Sequence, residues 1–344
     1  MVSRRLDAFL VTGQSNVRYL TGFSGSNGLC LVTGRAAVFM TDSRYTTQVR
    51  DEVIGWRIVI ASTGMFQAAA DRHLLPARVR VGIEEQHLTV AELRNLRRLF
   101  PGVRFVPVSL LVESIAAVKD EDEISLIRNA VGITDAVFAA ILPLIKPGVR
   151  ERDVAAEISA LHRRYGAEGD AFDPIVASGP RGALPHARPT ARKFRRGEMI
   201  TLDLGCRVQG YHSDLTRTVA LGRPSPTMKK IYAIVHDAQQ RAIDAAHSGM
   251  AACDLDAVAR RAIRRNGYGR FFIHALGHGL GLHVHDPLRV SARSTEILRE
   301  GFVLTIEPGI YLPGIGGVRI EDDVVIRRDG CAVLNRAPKD LLTV

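Results

Sequence analysis

GEMITLDLG, residues 197–205, and GFVLTIEPG, residues 301–309, are the two stretches from which the fold of this chain can be read. They align without a gap at an offset of 104 residues, and Asp203 of the first falls on Glu307 of the second. Each reads as a strand opened by glycine. In the first, Met199, Thr201 and Asp203 share one face while Ile200, Leu202 and Leu204 share the other. A second echo precedes each block: Gly148 with Asp153, and Gly249 with Asp254, each pair opening an Ala-rich helix. A duplicated helix–strand unit with an acid at the same strand position predicts a pseudo-two-fold domain whose halves aim their carboxylates at a shared axis.

Upstream of this repeat, KDEDEISLIRNAVGITDAVFAAILPLIKPG opens with acidic residues suited to a helix N-terminus and stops at Pro147-Gly148. Ile124, Ile127, Val131, Phe138 and Ile141 mark its buried stripe. The residues before it read as a separate small α/β domain. DAFLVTG (7–13), GLCLVTG (28–34) and AAVFMTD (36–42) are short β-rich runs, the last two flanking a tight hairpin at Gly34-Arg35. ELRNLRRLF (92–100) has leucines at helical spacing and stops at Pro101. The expected fold class is therefore α+β: a small α/β domain over 1–116, for packing, dimerisation or as a lid, then a duplicated domain over 117–344.

Composition narrows the function. The 344 residues suit two domains, and 46% hydrophobic with 24% charged residues is ordinary for a soluble globular chain. A formal charge of +10 invites a nucleic-acid reading, but all except six of the 46 basic residues are arginines scattered along the chain, in short clusters without interleaved aromatics. No nucleic-acid partner is expected. The four cysteines form no CxxC pair, which argues against a zinc ribbon or disulfide framework. In MVSRRLDAFLVTG only five residues separate Asp7 from Gly13, too few for a signal peptide, and no segment is expected to reach the length of a membrane span. The reading is a cytoplasmic protein with no membrane partner.

The carboxylates carry the chemistry. An aspartate in the middle of an apolar strand must find a partner, because burying its charge alone is costly. YHSDLTRTVA (211–220) follows a short Gly-containing turn and can bring Asp214 beside Asp203. Glu307 precedes the Pro/Gly-rich PGIYLPGIGG, and the return strand VRIEDDVVI (318–326) is expected to carry Arg319 and Glu321 on one face. Four carboxylates on one sheet face repel one another unless cations lie between them; pairing with Arg217 and Arg319 is the competing explanation. HALGHGLGLHVHD (274–286) adds His274, His278 and His285, with glycines that allow close backbone approach. One imidazole with four carboxylates is an oxygen-rich set that favours Mn²⁺ or Co²⁺ over a thiolate-type structural Zn²⁺ site. Two such ions can share a water and lower its pKa for attack on a carbonyl, which suits amide hydrolysis.

With these motifs the chain resembles the pita-bread metallopeptidases, which include aminopeptidase P, prolidase, methionine aminopeptidase and the metal-free creatinase. The resemblance runs along essentially the whole chain and is strongest over about 119–335. It implies five metal ligands: Asp203 and Asp214 in LDLGCRVQGYHSDLTRT, His278 in GHGLG, Glu307 in TIEPG and Glu321 in VRIED. It further implies that Asp214 and Glu321 bridge two divalent ions, with Asp203 completing one and His278 with Glu307 the other. Mn²⁺ is the preferred metal, with Co²⁺ and Zn²⁺ as alternatives. His186 in LPHARPT and His285 in HVHD match histidines that contact substrate and steady the tetrahedral intermediate.

Arg319 stands where methionine aminopeptidases usually have glutamine, as it does in proline-specific members, and a guanidinium among carboxylates offsets their repulsion. The N-terminal NVRYLTGFSGSNG (16–28) and TDSRY (41–45) point to the same Xaa-Pro branch. His274 and Arg44 complete the substrate-contact candidates, Arg44 by reaching a neighbouring subunit's site in a homodimer. The expected activity is hydrolysis of Xaa-Pro bonds in proline-containing peptides. The first choice is a dipeptidase; aminopeptidase P action on longer peptides and a non-catalytic scaffold of the same fold are the alternatives.

Overall fold

The computed structural model describes residues 5–344, so the first residues of MVSRRLDAFLVTG lie outside the described part. The chain divides into two compact units, Met1–Ala116 and Ala117–Val344.

The first unit is built on a six-stranded mixed sheet in the order Arg57–Ala61, Ala37–Asp42, Gly28–Thr33, Ala8–Val11, Arg80–Glu84, Arg104–Val108. The hairpin at Gly34-Arg35 is present, with Val32 opposite Ala37. Alternation along AFLV explains the layering. Ala8 and Leu10 pack in one core with the helices Met65–Asp71 and Val90–Leu99, while Phe9 and Val11 join a second core with Val17 and Val112 on the opposite face. Thr89 caps the Val90–Leu99 helix in a reciprocal box with Glu92.

The second unit shows the duplication in its backbone. Glu151–Arg164 and Ala252–Arg265 are both 14-residue helices, each preceded by a left-handed glycine, Gly148 (φ 92°) and Gly249 (φ 89°). The strands Met199–Leu204 and Val303–Ile306 likewise follow Gly197 (φ 86°) and Gly301 (φ 85°). Ile200, Leu202 and Leu204 bury against Val137, Phe138, Val154 and Ile158 from the helices Glu121–Ile141 and Glu151–Arg164. Leu304 and Ile306 do the same against Ile231, Val235, Leu255 and Ile263 of Pro226–Ala245 and Ala252–Arg265. Each half thus covers the apolar face of its sheet with two helices. The face bearing Asp203 in one half and Thr305 in the other turns toward the site.

Two expectations need correction. VRIEDDVVI is not one strand: Gly316–Arg319 pairs with Gly309–Leu312 in a two-stranded ribbon, and Asp322–Arg327 pairs with Val303–Ile306 in the five-stranded sheet. Glu321 lies at the changeover. YHSDLTRTVA is broken in the same way, between Tyr211–His212 and Leu215–Ala220. The second correction concerns membrane length. Glu121–Leu144 is long and apolar enough to cross a bilayer. Asp120 and Glu123 box its N-terminus, and Ile124, Ile127, Val131, Phe138 and Ile141 are buried within the unit, the pattern of a core helix.

Candidate active site

Three of the four carboxylates stand where a strand ends and the chain changes partner. Asp214 precedes Leu215–Ala220, Glu307 follows Val303–Ile306, and Glu321 precedes Asp322–Arg327. Asp203 is held inside its strand, opposite Thr216. At such junctions the backbone leaves the ladder, so a side chain can point into the space between sheets while its neighbours remain paired. The junctions are themselves fixed. The Asp214 amide donates to Asp323 Oδ2 (2.9 Å), and the Glu321 amide donates to Thr216 O (3.1 Å), tying the two halves together.

His278 comes from the short strand Gly277–Gly279, which approaches Val303–Ile306 very closely. A Cβ at Gly277 would lie 1.9 Å from Thr305 O, so only glycine permits this contact. The His278 amide donates to Thr305 Oγ1 (3.1 Å), and its Nδ1 donates to Gly279 O (3.1 Å). That tautomer leaves the Nε2 lone pair facing Asp214 Oδ2 at 3.7 Å and Glu307 Oε1 at 3.6 Å, both beyond hydrogen-bond range. Ligand atoms of Asp214, His278 and Glu321 lie within 4.8 Å of one another.

The electrostatics of the bare cluster are unfavourable. Burial and then the neighbouring carboxylates push Asp214 and Glu321 well above the usual acid range. Burial likewise raises Glu307 to about 8, although Arg319 opposes it. Burial, followed by the nearby His285, lowers His278 to about 4, so its ring is neutral at physiological pH. Asp203 Oδ1 and Asp214 Oδ1 are buried without a hydrogen-bond partner. Orphaned buried carboxylate oxygens, in a cluster where two further carboxylate oxygens face a histidine lone pair, describe a site suited to cations. The donor set, one nitrogen with four carboxylates, is suitable for a dinuclear metal centre.

A second His/carboxylate group in the first unit, Glu84–His87–Glu113, has a different character. There Asn16 Nδ2 donates to both carboxylates (2.6 and 2.7 Å) and His87 Nε2 bonds Glu113 (3.0 Å), so the group is closed on itself.

Arginine pairing, the competing explanation, holds for one carboxylate. Arg319 donates from Nη2 to Asp203 Oδ2 (2.5 Å), from Nε to Thr216 Oγ1 (3.0 Å), and from Nη1 to Tyr311 Oη (3.0 Å) and Pro185 O (3.2 Å). Arg217 instead pairs with Asp322, outside the cluster (2.7 Å). His274 has both nitrogens engaged: Nδ1 with Ala275 O (2.7 Å) and Nε2 with Tyr311 Oη (2.8 Å). Burial and then Arg319 lower its pKa to about 3, so it is neutral and accepts at Nε2 the proton of the Tyr311 hydroxyl.

A cavity of about 640 Å³ opens on these groups, with His186, Arg188, His285 and Arg289 among its lining residues. The His285 ring lies 4.2 Å from that of His278. All lining residues belong to the second unit. Arg44 belongs to the first, where its guanidinium bonds both oxygens of Asp42 (2.9 and 2.8 Å).

Sequence reading missed Tyr311 and Thr216. Thr216 donates to Glu321 Oε2 (2.5 Å) while accepting from Arg319. Both were within reach of the sequence: Tyr311 follows Glu307 by four residues in PGIYLPGIGG, and Thr216 follows Asp214 by two in YHSDLTRTVA. Gly309 belongs to the same device, since a Cβ there would lie 2.5 Å from the Tyr311 hydroxyl.

Comparison with known proteins places this geometry. Residues 125–328 match Metallopeptidase family M24, and residues 1–118 match the Creatinase/Prolidase N-terminal domain. An Xaa-Pro dipeptidase of Pyrococcus horikoshii is 37% identical over 344 residues, covering 99% of this chain and 96% of that protein. Among solved structures, an Xaa-Pro dipeptidase from Bacillus anthracis superposes with a TM-score of 0.95 at 37% identity, covering 98% of this chain and 95% of that one. An X-Pro aminopeptidase from Thermotoga maritima gives 0.93 at 36% identity, with 98% of both chains covered.

Proposed function

The chain belongs to metallopeptidase family M24, in its prolidase branch, and from that premise we propose that it is a two-metal-ion Xaa-Pro dipeptidase. The observation that carries the metal reading is the neutral His278 Nε2 facing Asp214 and Glu307 at 3.7 and 3.6 Å, with Asp203 Oδ1 and Asp214 Oδ1 buried and without hydrogen-bond partners. Asp203, Asp214, His278, Glu307 and Glu321 would hold the ions, with Asp214 and Glu321 bridging, and Mn²⁺ is the metal we favour for this oxygen-rich set. When bound, two such ions lower the pKa of a shared water and polarise the carbonyl of the scissile bond.

The chain's own residues do the rest. Arg319 spreads its donors over Asp203, Thr216 and Tyr311, fixing the carboxylate rotamers and offsetting their mutual repulsion. Neutral His274 orients the Tyr311 hydroxyl. His186 and His285 line the cavity, and we assign them hydrogen bonds to the oxygen of a tetrahedral intermediate. Arg188 and Arg289 give the cavity a cationic wall for a free carboxylate just beyond proline, which is why we favour a dipeptidase. Arg44 would have to leave Asp42 to serve a neighbouring subunit's site. We place the enzyme as a homodimer in the cytoplasm, its four cysteines free thiols, with the first unit as dimerisation module or lid.

The deciding measurement is kcat/KM for Ala-Pro and Ala-Pro-Ala with added Mn²⁺, Co²⁺ or Zn²⁺. Faster cleavage of Ala-Pro is expected. Equal or faster cleavage of the tripeptide would assign aminopeptidase P action. Hydrolysis of neither, with less than one metal bound per chain, would leave a scaffold.

A further inference from the structure

We propose that Lys119 is a positioning residue for this reaction: its buried ion pair with Asp286 fixes the segment that carries His285 and Arg289. The proposal rests on the peptidase reading above, in which His285 meets the substrate.

The pair is short and enclosed. Lys119 Nζ lies 2.6 Å from Asp286 Oδ2, with the two side chains 2% and 10% exposed. Lys119 is held from both sides along the chain. It precedes Asp120, the cap of the Glu121–Ile141 helix, and its own amide donates to Gly301 O (2.9 Å) beside the Val118–Phe302 bridge. The cation therefore stands on a base shared by a core helix and the approach to Val303–Ile306, the strand that leads to Glu307.

What it holds lies outside the regular sheet. Gly277–Gly279 and Asp286–Val290 pair with His278 opposite Arg289, and then the register breaks so that Gly279 lies opposite Asp286. Residues 280–285 are an excursion from the sheet that belongs to no strand or helix, and Asp286 is where it returns. The return point sets where His285 falls, with its ring centroid 4.2 Å from that of His278 at an interplanar angle of 52°. The far side of the loop is pinned at Gly281, whose carbonyl accepts from the His212 amide (2.9 Å). The ion pair packs directly on that glycine: a Cβ there would meet Asp286 Oδ2 at 2.7 Å and Lys119 Cε at 2.8 Å.

A buried ion pair is a poor source of net stability, because desolvation consumes most of the Coulombic gain. Its strong consequence is directional, since either charge left alone in this enclosure drives the loop to rearrange. The pair's role is therefore to select one loop position, and loop position is what a hydrogen-bonding histidine needs, because a misplacement of about 1 Å can cost a hundredfold in rate.

The test compares the wild type with Lys119→Met, Asp286→Asn, their double mutant and Lys119→Arg. For each, kcat and KM on Ala-Pro with Mn²⁺, bound metal, melting temperature and histidine-ring NMR of the metal-free protein are measured. Each single mutant is expected to lose at least about tenfold in kcat with bound metal unchanged, and to shift the His285 signals. The double mutant should be no worse than the poorer single, the mark of two residues acting as one unit. Lys119→Arg, which keeps the charge, should recover most of kcat. Single mutants that melt lower yet keep kcat and the His285 signals would reduce the pair to a structural brace and overturn the proposal. If Lys119→Met does not fold, Asp286→Asn carries the same test by removing charge at constant shape. A wild type inactive on every Xaa-Pro peptide would sink the functional reading alone, while the NMR arm would still decide the positioning claim.

Discussion

Replacing Arg319 by lysine preserves the charge and destroys the fork, and the cost follows from the four bonds that the guanidinium makes. Its donors spread over three nitrogens to reach Asp203, Thr216, Tyr311 and Pro185 at 2.5–3.2 Å, in a side chain only 4% exposed. An ammonium donates from one atom, so it can serve the Asp203 side or the Tyr311 and Pro185 side but not both. At least two buried acceptors lose a charged donor, at about 1.5–3 kcal/mol each, so the total is about 3–6 kcal/mol. For a domain of this size each kcal/mol moves the melting temperature by about 2–4 °C. Calorimetry on Arg319→Lys should therefore show a fall of roughly 6–24 °C, compounded from those two ranges. Either Asp203 or Tyr311 loses its fixed rotamer, so Mn²⁺ affinity by titration calorimetry and kcat should drop with stability. A mutant that melts within a degree of the wild type, with unchanged Mn²⁺ affinity and full activity, would refute the idea that the fork organises the cluster.

Asp214→Asn or Glu321→Gln should abolish peptidase activity, by several orders of magnitude in kcat, because each removes a proposed bridging charge. More than about a tenth of wild-type activity in either would end the bridging assignment. His285→Ala should keep its bound metal, measured by mass spectrometry, and lose about 10²–10³-fold in kcat, as a single lost transition-state donor does; arrival without metal would make His285 a support of the ligands instead. The pH dependence has a definite sign. Glu307, raised to about 8, and the likewise raised Asp214 and Glu321 bind protons in the folded state that the unfolded chain has released, so their contribution to folding is lost as pH rises toward 8. Below 6.5 the depressed His278 and His274 act against folding instead, so the informative window lies between 6.5 and about 8. Metal binding replaces those carboxyl protons, and the gain in melting temperature on adding Mn²⁺ should be larger at the upper end of the window. An equal or smaller gain there would contradict the raised carboxylates.

The duplication and the candidate carboxylates were legible in the sequence for a local reason, and the family through the resemblance of the motifs that hold them. Strand alternation around Asp203 and Glu307, the glycines that open each unit and the acidic start of the Glu121–Ile141 helix are all set by neighbours within a few residues. Four carboxylates in an otherwise apolar context implied a cation with no knowledge of their distances. Long-range pairing was invisible to the same reading. VRIEDDVVI looked continuous because alternation cannot report a change of partner, yet the chain leaves one ribbon at Arg319 and joins another sheet at Asp322, and that break is what frees Glu321. Which arginine meets which acid was also undetermined, because Arg217 and Arg319 each have an acid within three positions along the chain and neither pairs with it. Only the packing of the two halves gives Arg319 to Asp203 and Arg217 to Asp322. Lys119 and Asp286 are 167 residues apart, and no periodicity relates them. Local alternation chose the residues; the closing of one half against the other chose their partners, because burial forces each charge to find the counter-charge or donor that only the folded chain brings within reach.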